Sequence, residues 1–358
     1  MKILDWYIIK KFLGTFFFTL ALIILIAVIF DASEKMDDFL EKHAPLRAIL
    51  FDYYLNFIPY FANLFSPLFI FIAVIYFTSR MASNTEIVAM LNSGMSFRRL
   101  MLPYFIAATF LALVSFYFNG WVIPHANANR LAFEYIYVRN PYVYKDRNIH
   151  RQISPGTLIY MDSYNSRENI GFRFSLEQIK DGKRIYFLNS DRIRWDSVPR
   201  KWIIENYYIR KIKGMNEEIT EGNSMDTTFS FEPKDLQTRV SLMDAMDNSA
   251  LNNFIAGLKL QGSSAVTAYE VEKYRRISFP FATFILTLIG VSLASRKVRG
   301  GIGLHLGAGI SLSFIYILFI QVSATYATNG DLPPLLAVWI PNIIFSGIAV
   351  GLFRLAPK

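Results

Sequence analysis

Six stretches of the chain stay apolar for close to twenty residues, at about 12–31, 55–78, 101–123, 277–295, 304–326 and 334–353. Twenty helical residues rise about 30 Å, the thickness of a bilayer's hydrocarbon core, so the pattern predicts six membrane-spanning helices. The first run is preceded by Lys10 and Lys11. It exceeds the apolar segment of a signal peptide and no small-residue cleavage site follows it, which predicts a retained span. Pro59 and Pro67 fall in the second span and Pro280 in the fourth, where neighbouring helices can satisfy the carbonyls that a proline frees.

Between the third and fourth runs the texture changes. Segments such as RIYFLNSDRIRW at 184–195 and KWIIENYYIRKI at 201–212 are rich in β-branched and aromatic residues, the composition of strands. Asp181–Gly182 supplies a hairpin signal between strands predicted at 172–179 and 184–195, and Pro199 marks the next turn. The expected fold is an α-helical polytopic membrane protein with an inserted all-β, jelly-roll-like domain. Its expected parts are 1–123 (spans one to three), 124–265 (the β domain) and 266–358 (a connecting helix and spans four to six). Residues 233–262 read as loop and short helix, and 267–276 as a helix leading straight into span four, opened by a Thr267–Glu270 capping box.

One short element lies outside the spans. In SNTEIVAMLNSGMSFRR, residues 83–99, Ser83 and Glu86 have capping-box spacing. Gly94 sits where a helix ends in a left-handed turn. Ile87, Met90 and Leu91 share one face. A helix of about ten residues is roughly 15 Å long, half a bilayer, so an apolar stripe is left in water. It calls either for a docking partner or for a place flat on the membrane surface.

Composition agrees with this partition. The 358 residues are 53% hydrophobic, 16% aromatic and 18% charged, and most of the charge lies in the middle third. The net charge of +9 reads as topological rather than as a nucleic-acid footprint. Lys2, Lys10 and Lys11 precede span one; Arg80, Arg98 and Arg99 separate spans two and three; Arg296, Lys297 and Arg299 separate four and five; Arg354 and Lys358 follow six. The opposite loops carry Asp31, Glu34, Asp37, Asp38 and Glu41 against Lys35, Lys42 and Arg47, or Asp331 alone. The positive-inside rule then places both termini in the cytoplasm and the β domain outside.

Catalytic signals are sparse. With no cysteine, disulfides, thiolate metal sites and cysteine nucleophiles are excluded. His43, His125, His150 and His305 lack metal-site spacing. There is no nucleophile elbow and no P-loop. Gly301, Gly303 and Gly307 do not match a dinucleotide fingerprint, and Gly303 with Gly307 suits close helix packing instead. Within the spans the polar candidates are Asn63, Asn119 and Gln321, expected to make interhelical hydrogen bonds. With so little intramembrane charge, ion coupling is not expected, and the energy for work, if work is done, is expected to come from elsewhere.

The chain resembles the LptF/LptG family of permeases, which export lipopolysaccharide from the inner membrane of Gram-negative bacteria. The resemblance runs through LDWYIIKKF at 4–12, the helix at 83–94, WVIPHAN at 121–127, YEVEKYRRISFPFA at 269–282 and the long run at 295–317. LDWYI and the compact outside domain lean toward the LptG-like branch. The resemblance implies an ABC-transporter permease subunit rather than an enzyme, with no cofactor of its own and with ATP and Mg bound by a separate ATPase. Its implied partners are an LptB-type ATPase dimer, an LptF-type second permease subunit, LptC-type and LptA-type periplasmic proteins, and lipopolysaccharide. The helix at 83–94 becomes a coupling helix seated in the ATPase, with Ser83, Glu86, Ile87, Met90, Leu91 and Gly94 as its residues.

Span one supplies the candidate lipid contacts: Phe18 and Phe30 as an apolar wall, and Asp31, Glu34 and Lys35 as a rim. The rim departs from the family, which often carries basic residues there for the lipid A phosphates. The phosphate contact then lies elsewhere, runs through a divalent cation held by Asp31 or Glu34, or suits a lipid with fewer phosphates; alternatively these acids merely face water. The rival readings are a permease or scaffold for another envelope lipid, and a glycolipid-modifying membrane enzyme, for which no juxtamembrane constellation assembles.

Overall fold

The structure, a computed structural model, describes residues 3–138, 147–165, 168–214, 216–229, 231–233, 240–260, 262–263, 265–296 and 301–356. Lys2, Lys297, Arg299 and Lys358, four of the residues that set the expected orientation, lie outside them. The chain forms two compact units: Met1–Val138 with Ser241–Ser249 and Thr267–Lys358, and Arg139–Val240 with Ala250–Val266.

The first unit is helical. Among the described residues, five of its helices are long and apolar enough to cross a membrane, or six spans if one bent pair is counted as one. Helix α1 is Ile3–Glu41, α2 is Leu46–Ser83, and after the short α3, Glu86–Asn92, comes α4, Phe97–Tyr137. Helix α5, Asn248–Leu260, belongs mostly to the second unit. Then follow α6, Val266–Ser278, α7, Phe281–Ala294, α8, Gly301–Thr328, and α9, Pro334–Leu355.

Three sequence expectations change here. Helix α4 runs unbroken through a π-turn at Phe118–Val122, so the boundary expected at 123/124 falls inside a helix. The connecting helix does not lead straight into span four: α6 and α7 meet at 51°, at Pro280, which lacks the N–H that would continue the ladder. Thr267 lies within α6 and is not its cap. By contrast Pro59, Pro67, Pro103 and Pro341 sit inside continuous helices, as expected where other helices surround them.

Helix α2 is the hub, with α1, α7 and α8 all packed on it. Close approach is supplied by glycine, though not by the pair expected. A Cβ at Gly290 would lie 2.9 Å from Val74, and one at Gly309 would collide with Ile75, whereas Gly303 and Gly307 have nothing within 4 Å. The G-x-x-x-G pair is therefore open within this chain, and the tight contacts with α2 are made at Gly290 on α7 and Gly309 on α8.

The second unit holds a six-stranded antiparallel sheet in the order β1–β6: Arg147–Ser154, Thr157–Asn165, Ile170–Lys180, Lys183–Asp196, Lys201–Lys213 and Asn216–Thr227. An inserted β region among membrane helices is the expected class. Its connectivity is a meander, each strand pairing with the next, and the crossing connection of a jelly roll is absent among the described residues. Asp181 and Gly182 have φ of 51° and 72°, the left-handed pair that a two-residue hairpin turn requires. One face holds the core, centred on Trp202, which is fully buried and donates its indole N–H to the Phe231 carbonyl at 2.9 Å.

Candidate functional site

Helix α1 is the least covered of the long helices. Thirty-nine residues rise about 58 Å, so α1 crosses a bilayer and continues beyond it. Its inner face, with Ile8, Phe12 and Phe16, joins the core. Its outer face leaves large apolar side chains bare, Phe18 at 70% and Phe30 at 74% exposure. Helix α8 does the same with Leu304, Phe314 and Ile315. Residues of α1, α2 and α8, among them Gly14, Phe18, Ile72 and Leu306, line a groove of about 740 Å³. A face so apolar on two helices belongs against lipid or another protein.

The polar rim at the far end of α1 is already internally paired. Lys35 donates to Asp31 at 2.7 Å and to the Tyr53 hydroxyl. The hydroxyls of Tyr53 and Tyr54 donate to the two Asp31 oxygens at 3.1 and 3.4 Å. Asp31 is thus neutralised and both its oxygens are engaged, which disfavours a cation bridge through it. No group of three metal-ligating side chains exists among the described residues. Glu34 is exposed. The sequence presented an acidic rim, but the structure leaves Glu34 as its freer acid. The spacing of Asp31 and Lys35 was in view at i, i+4; the two tyrosines come from the next helix and were not.

The short helix α3 differs from its expectation in three ways. Helix α2 runs on to Ser83, so Ser83 ends one helix rather than capping the next. Thr85, at φ 63°, is the N-cap and makes no side-chain cap bond. Glu86 instead accepts from the Tyr7 hydroxyl at 3.3 Å and the Asn84 amide at 3.2 Å. Gly94 does adopt the left-handed turn, at φ 85°. The apolar stripe is covered by the chain itself: Ile87 is fully buried, and Met90 and Leu91 pack on the same core as Ile8 and Phe97. What α3 leaves outward is Val88, 46% exposed, with Ala89 and Asn92. Beside it Arg99 makes two hydrogen bonds to Asp5, at 2.7 and 2.8 Å, with Asp5 buried. The start of α1 is therefore tied both to α3 and to the start of α4.

Sequence reasoning missed a buried charge cluster. On α6, Glu272 accepts from Arg275 at 2.8 Å and from Arg276 at 3.0 Å. Arg276 also donates to the carbonyls of Met246 at 2.7 Å and Met243 at 2.8 Å, and to Asn248 at 3.2 Å. Asp244 lies 3.8 Å from Arg275. Burial pushes the Asp244 carboxyl above the usual carboxylate range; Glu272 adds to that, and Arg275, Arg276 and Arg130 oppose it. These groups share a cavity of about 40 Å³ with Tyr60, Asn63 and Asn119, room enough for a water. The i, i+3, i+4 spacing of Glu272, Arg275 and Arg276 was the available signal; Met243–Asn248, which completes the cluster, lies in the stretch that read as loop and short helix. Asn63 and Asn119 do bond across helices, at 2.9 Å, while the side chain of Gln321 is exposed.

The family described as "Lipopolysaccharide export system permease LptF/LptG" matches residues 6–355. Two curated relatives, both called lipopolysaccharide export system permease protein LptG, come from Escherichia coli strain K12 and Escherichia coli O6:H1. Each is 21% identical over 364 residues, covering 98% of this chain and 97% of the relative.

Proposed function

The chain belongs to the lipopolysaccharide export permease family LptF/LptG, and on that footing we propose that it is the LptG-like permease subunit of an ABC transporter. It takes lipopolysaccharide from the inner membrane and passes it to a periplasmic bridge. The observation that carries this reading is the bare apolar face of α1 and α8 beside the polar rim at Lys35. A lipid with several acyl chains and a charged head needs an apolar wall and a polar edge together. An LptF-type subunit with an equivalent face would close the other side, as paired permeases require.

ATP hydrolysis is assigned to an LptB-type ATPase dimer, and LptC-type and LptA-type proteins receive the lipid on the periplasmic side. Lysine and arginine asymmetry supports cytoplasmic termini, which puts α3 in the cytoplasm. Its outward residues Val88, Ala89 and Asn92 are then the surface that meets the ATPase, with Ile87, Met90 and Leu91 as the packing that holds it. The basic group at that rim is Lys35, held there by Asp31 and Tyr53. Two measurements test the reading: copurification with an LptB-type ATPase, and crosslinking of lipopolysaccharide from a photoreactive residue at position 30. Binding of the ATPase with an ATP-dependent fall in the crosslink is expected. A crosslink indifferent to ATP in an assembled complex counts against an extracting permease.

A further inference from the structure

Helix α1 is held firmly at its two ends and little in between. At its N-terminal foot the first turns are packed into one block with α3 and the start of α4: Ile8 and Phe12 share a core with Ile87, Phe97 and Leu100. Within that block Asp5, 1% exposed, accepts both of the Arg99 bonds. At the far end the Tyr53 hydroxyl donates to Asp31 at 3.1 Å, which fastens α1 to α2. Asp5 and Asp31 are separated by about 39 Å along the helix. Among the described residues between Phe16 and Phe39, Ile24 is the only one of α1 that is buried. Beside this stretch a cavity of about 170 Å³ opens between α1, α2 and α4, walled by Phe17, Leu20, Ile70, Leu111 and Phe118. Protein interiors leave few voids larger than a water, so this one gives α1 room to tilt without parting packed side chains.

The pair at the foot is suited to carrying force. Arg99 meets both carboxylate oxygens at once, a planar fork that fixes angle as well as distance. Asp5 is out of water, and parted from Arg99 it would be a buried charge without its partner, so the pair persists while the block moves. The neighbouring Tyr7–Glu86 bond is exposed and 3.3 Å long, a looser tie. We propose that Asp5, through Arg99, is the joint that passes movement of α3 and the start of α4 to α1, and that α1 acts as a lever whose tilt into the cavity shifts the lipid wall at Phe18 and Phe30. Asp5 is buried, so it meets neither the ATPase nor the lipid and is a positioning residue. The inference rests on the permease reading above for what drives the movement and what it displaces.

The test uses the complete complex, this chain with its LptF-type and LptB-type partners, reconstituted in nanodiscs with lipopolysaccharide. ATP hydrolysis is measured beside the ATP-dependent fall of the crosslink from a photoreactive residue at position 30, which together give lipid released per ATP. Asp5→Asn keeps the shape and removes the charge. It is expected to leave ATPase copurification unchanged and hydrolysis within about twofold, and to lower release per ATP at least fivefold. A second variant leaves no buried charge unpaired: Asp5→Cys with Arg99→Cys, in a chain that has no other cysteine, bridged by a bis-methanethiosulfonate reagent. Bridging should restore at least half of the wild-type release per ATP, and reduction should remove it again. A pair that only stabilises the fold would lose copurification, hydrolysis and release together, and that result overturns the joint. So does unchanged release per ATP in Asp5→Asn, or release in the cysteine pair that bridging does not restore. A wild-type complex with no ATP-dependent fall in the crosslink is a different failure: it sinks the permease reading, and this inference with it.

Discussion

Glu272 and Asp244 show what single residues contribute in a buried network. Glu272 is 6% exposed and bonds two arginines, one of them, Arg276, 5% exposed. Glu272→Ala should cost about 3–5 kcal/mol, because it leaves buried cations without their anion; a large fall in the unfolding temperature in detergent checks this. Asp244 behaves differently. Its carboxyl is held above the usual range, so the folded state favours the protonated form. The stability it contributes is fully present below the ordinary aspartate range and is lost as pH rises through the raised folded value. Unfolding temperatures of wild type and Asp244→Asn, compared across acidic to neutral pH, should therefore converge at the acid end and separate above it, wild type falling faster. Only part of this was visible along the chain. Helical spacing could place Glu272 with Arg275 and Arg276, but Asp244 is brought to them only by the fold. The same limit hid the Asp31 knot, whose tyrosines arrive from α2.

At the scale of elements, span lengths were legible because a bilayer imposes one length on every helix that crosses it. Ends were less so. The cap expected at Ser83 failed because α2 keeps its ladder past the apolar run, and the turn is then made by Thr85 in a left-handed conformation. The face of α3 was also misjudged: an i, i+3, i+4 stripe marks what a helix buries, and here the cover is the chain's own bundle. Two substitutions now separate folding from docking. Leu91→Asp puts a charge against the bundle core and should destabilise the chain by several kcal/mol. Val88→Asp, on the outward face, should leave the stability within about 0.5 kcal/mol of wild type yet reduce ATPase copurification and export. If Val88→Asp exports normally, the outward face is not the docking surface. Glu86→Lys should also impair export, since it loses the Tyr7 and Asn84 bonds and sets a cation at a helix N-terminus, where the dipole disfavours it.

For the whole molecule, the orientation proposed from lysine and arginine can be read directly, because the chain has no cysteine. Val198→Cys, at a site 92% exposed in the β4–β5 turn, should react with an impermeant thiol reagent in intact cells, and Val88→Cys should react only after lysis. The reverse pattern would invert the topology. That a β unit interrupts the helices was legible from residue texture, and its hairpins from turn residues. The order of strands was not, since pairing depends on contacts that no local pattern records. That order has a consequence for biogenesis. In a strict neighbour-to-neighbour meander every pairing joins segments close in the chain, so the contact order of the sheet is low and loop closure costs little. Strands emerging one at a time across a membrane can add to the growing edge without waiting for later sequence. By the time residue 233 has emerged, all six strands and the Phe231 carbonyl that holds Trp202 are present. Under the orientation proposed above, the sheet can then be folded on the far side before α6 to α9 are synthesised, a lock against backsliding while the second half of the helical unit inserts.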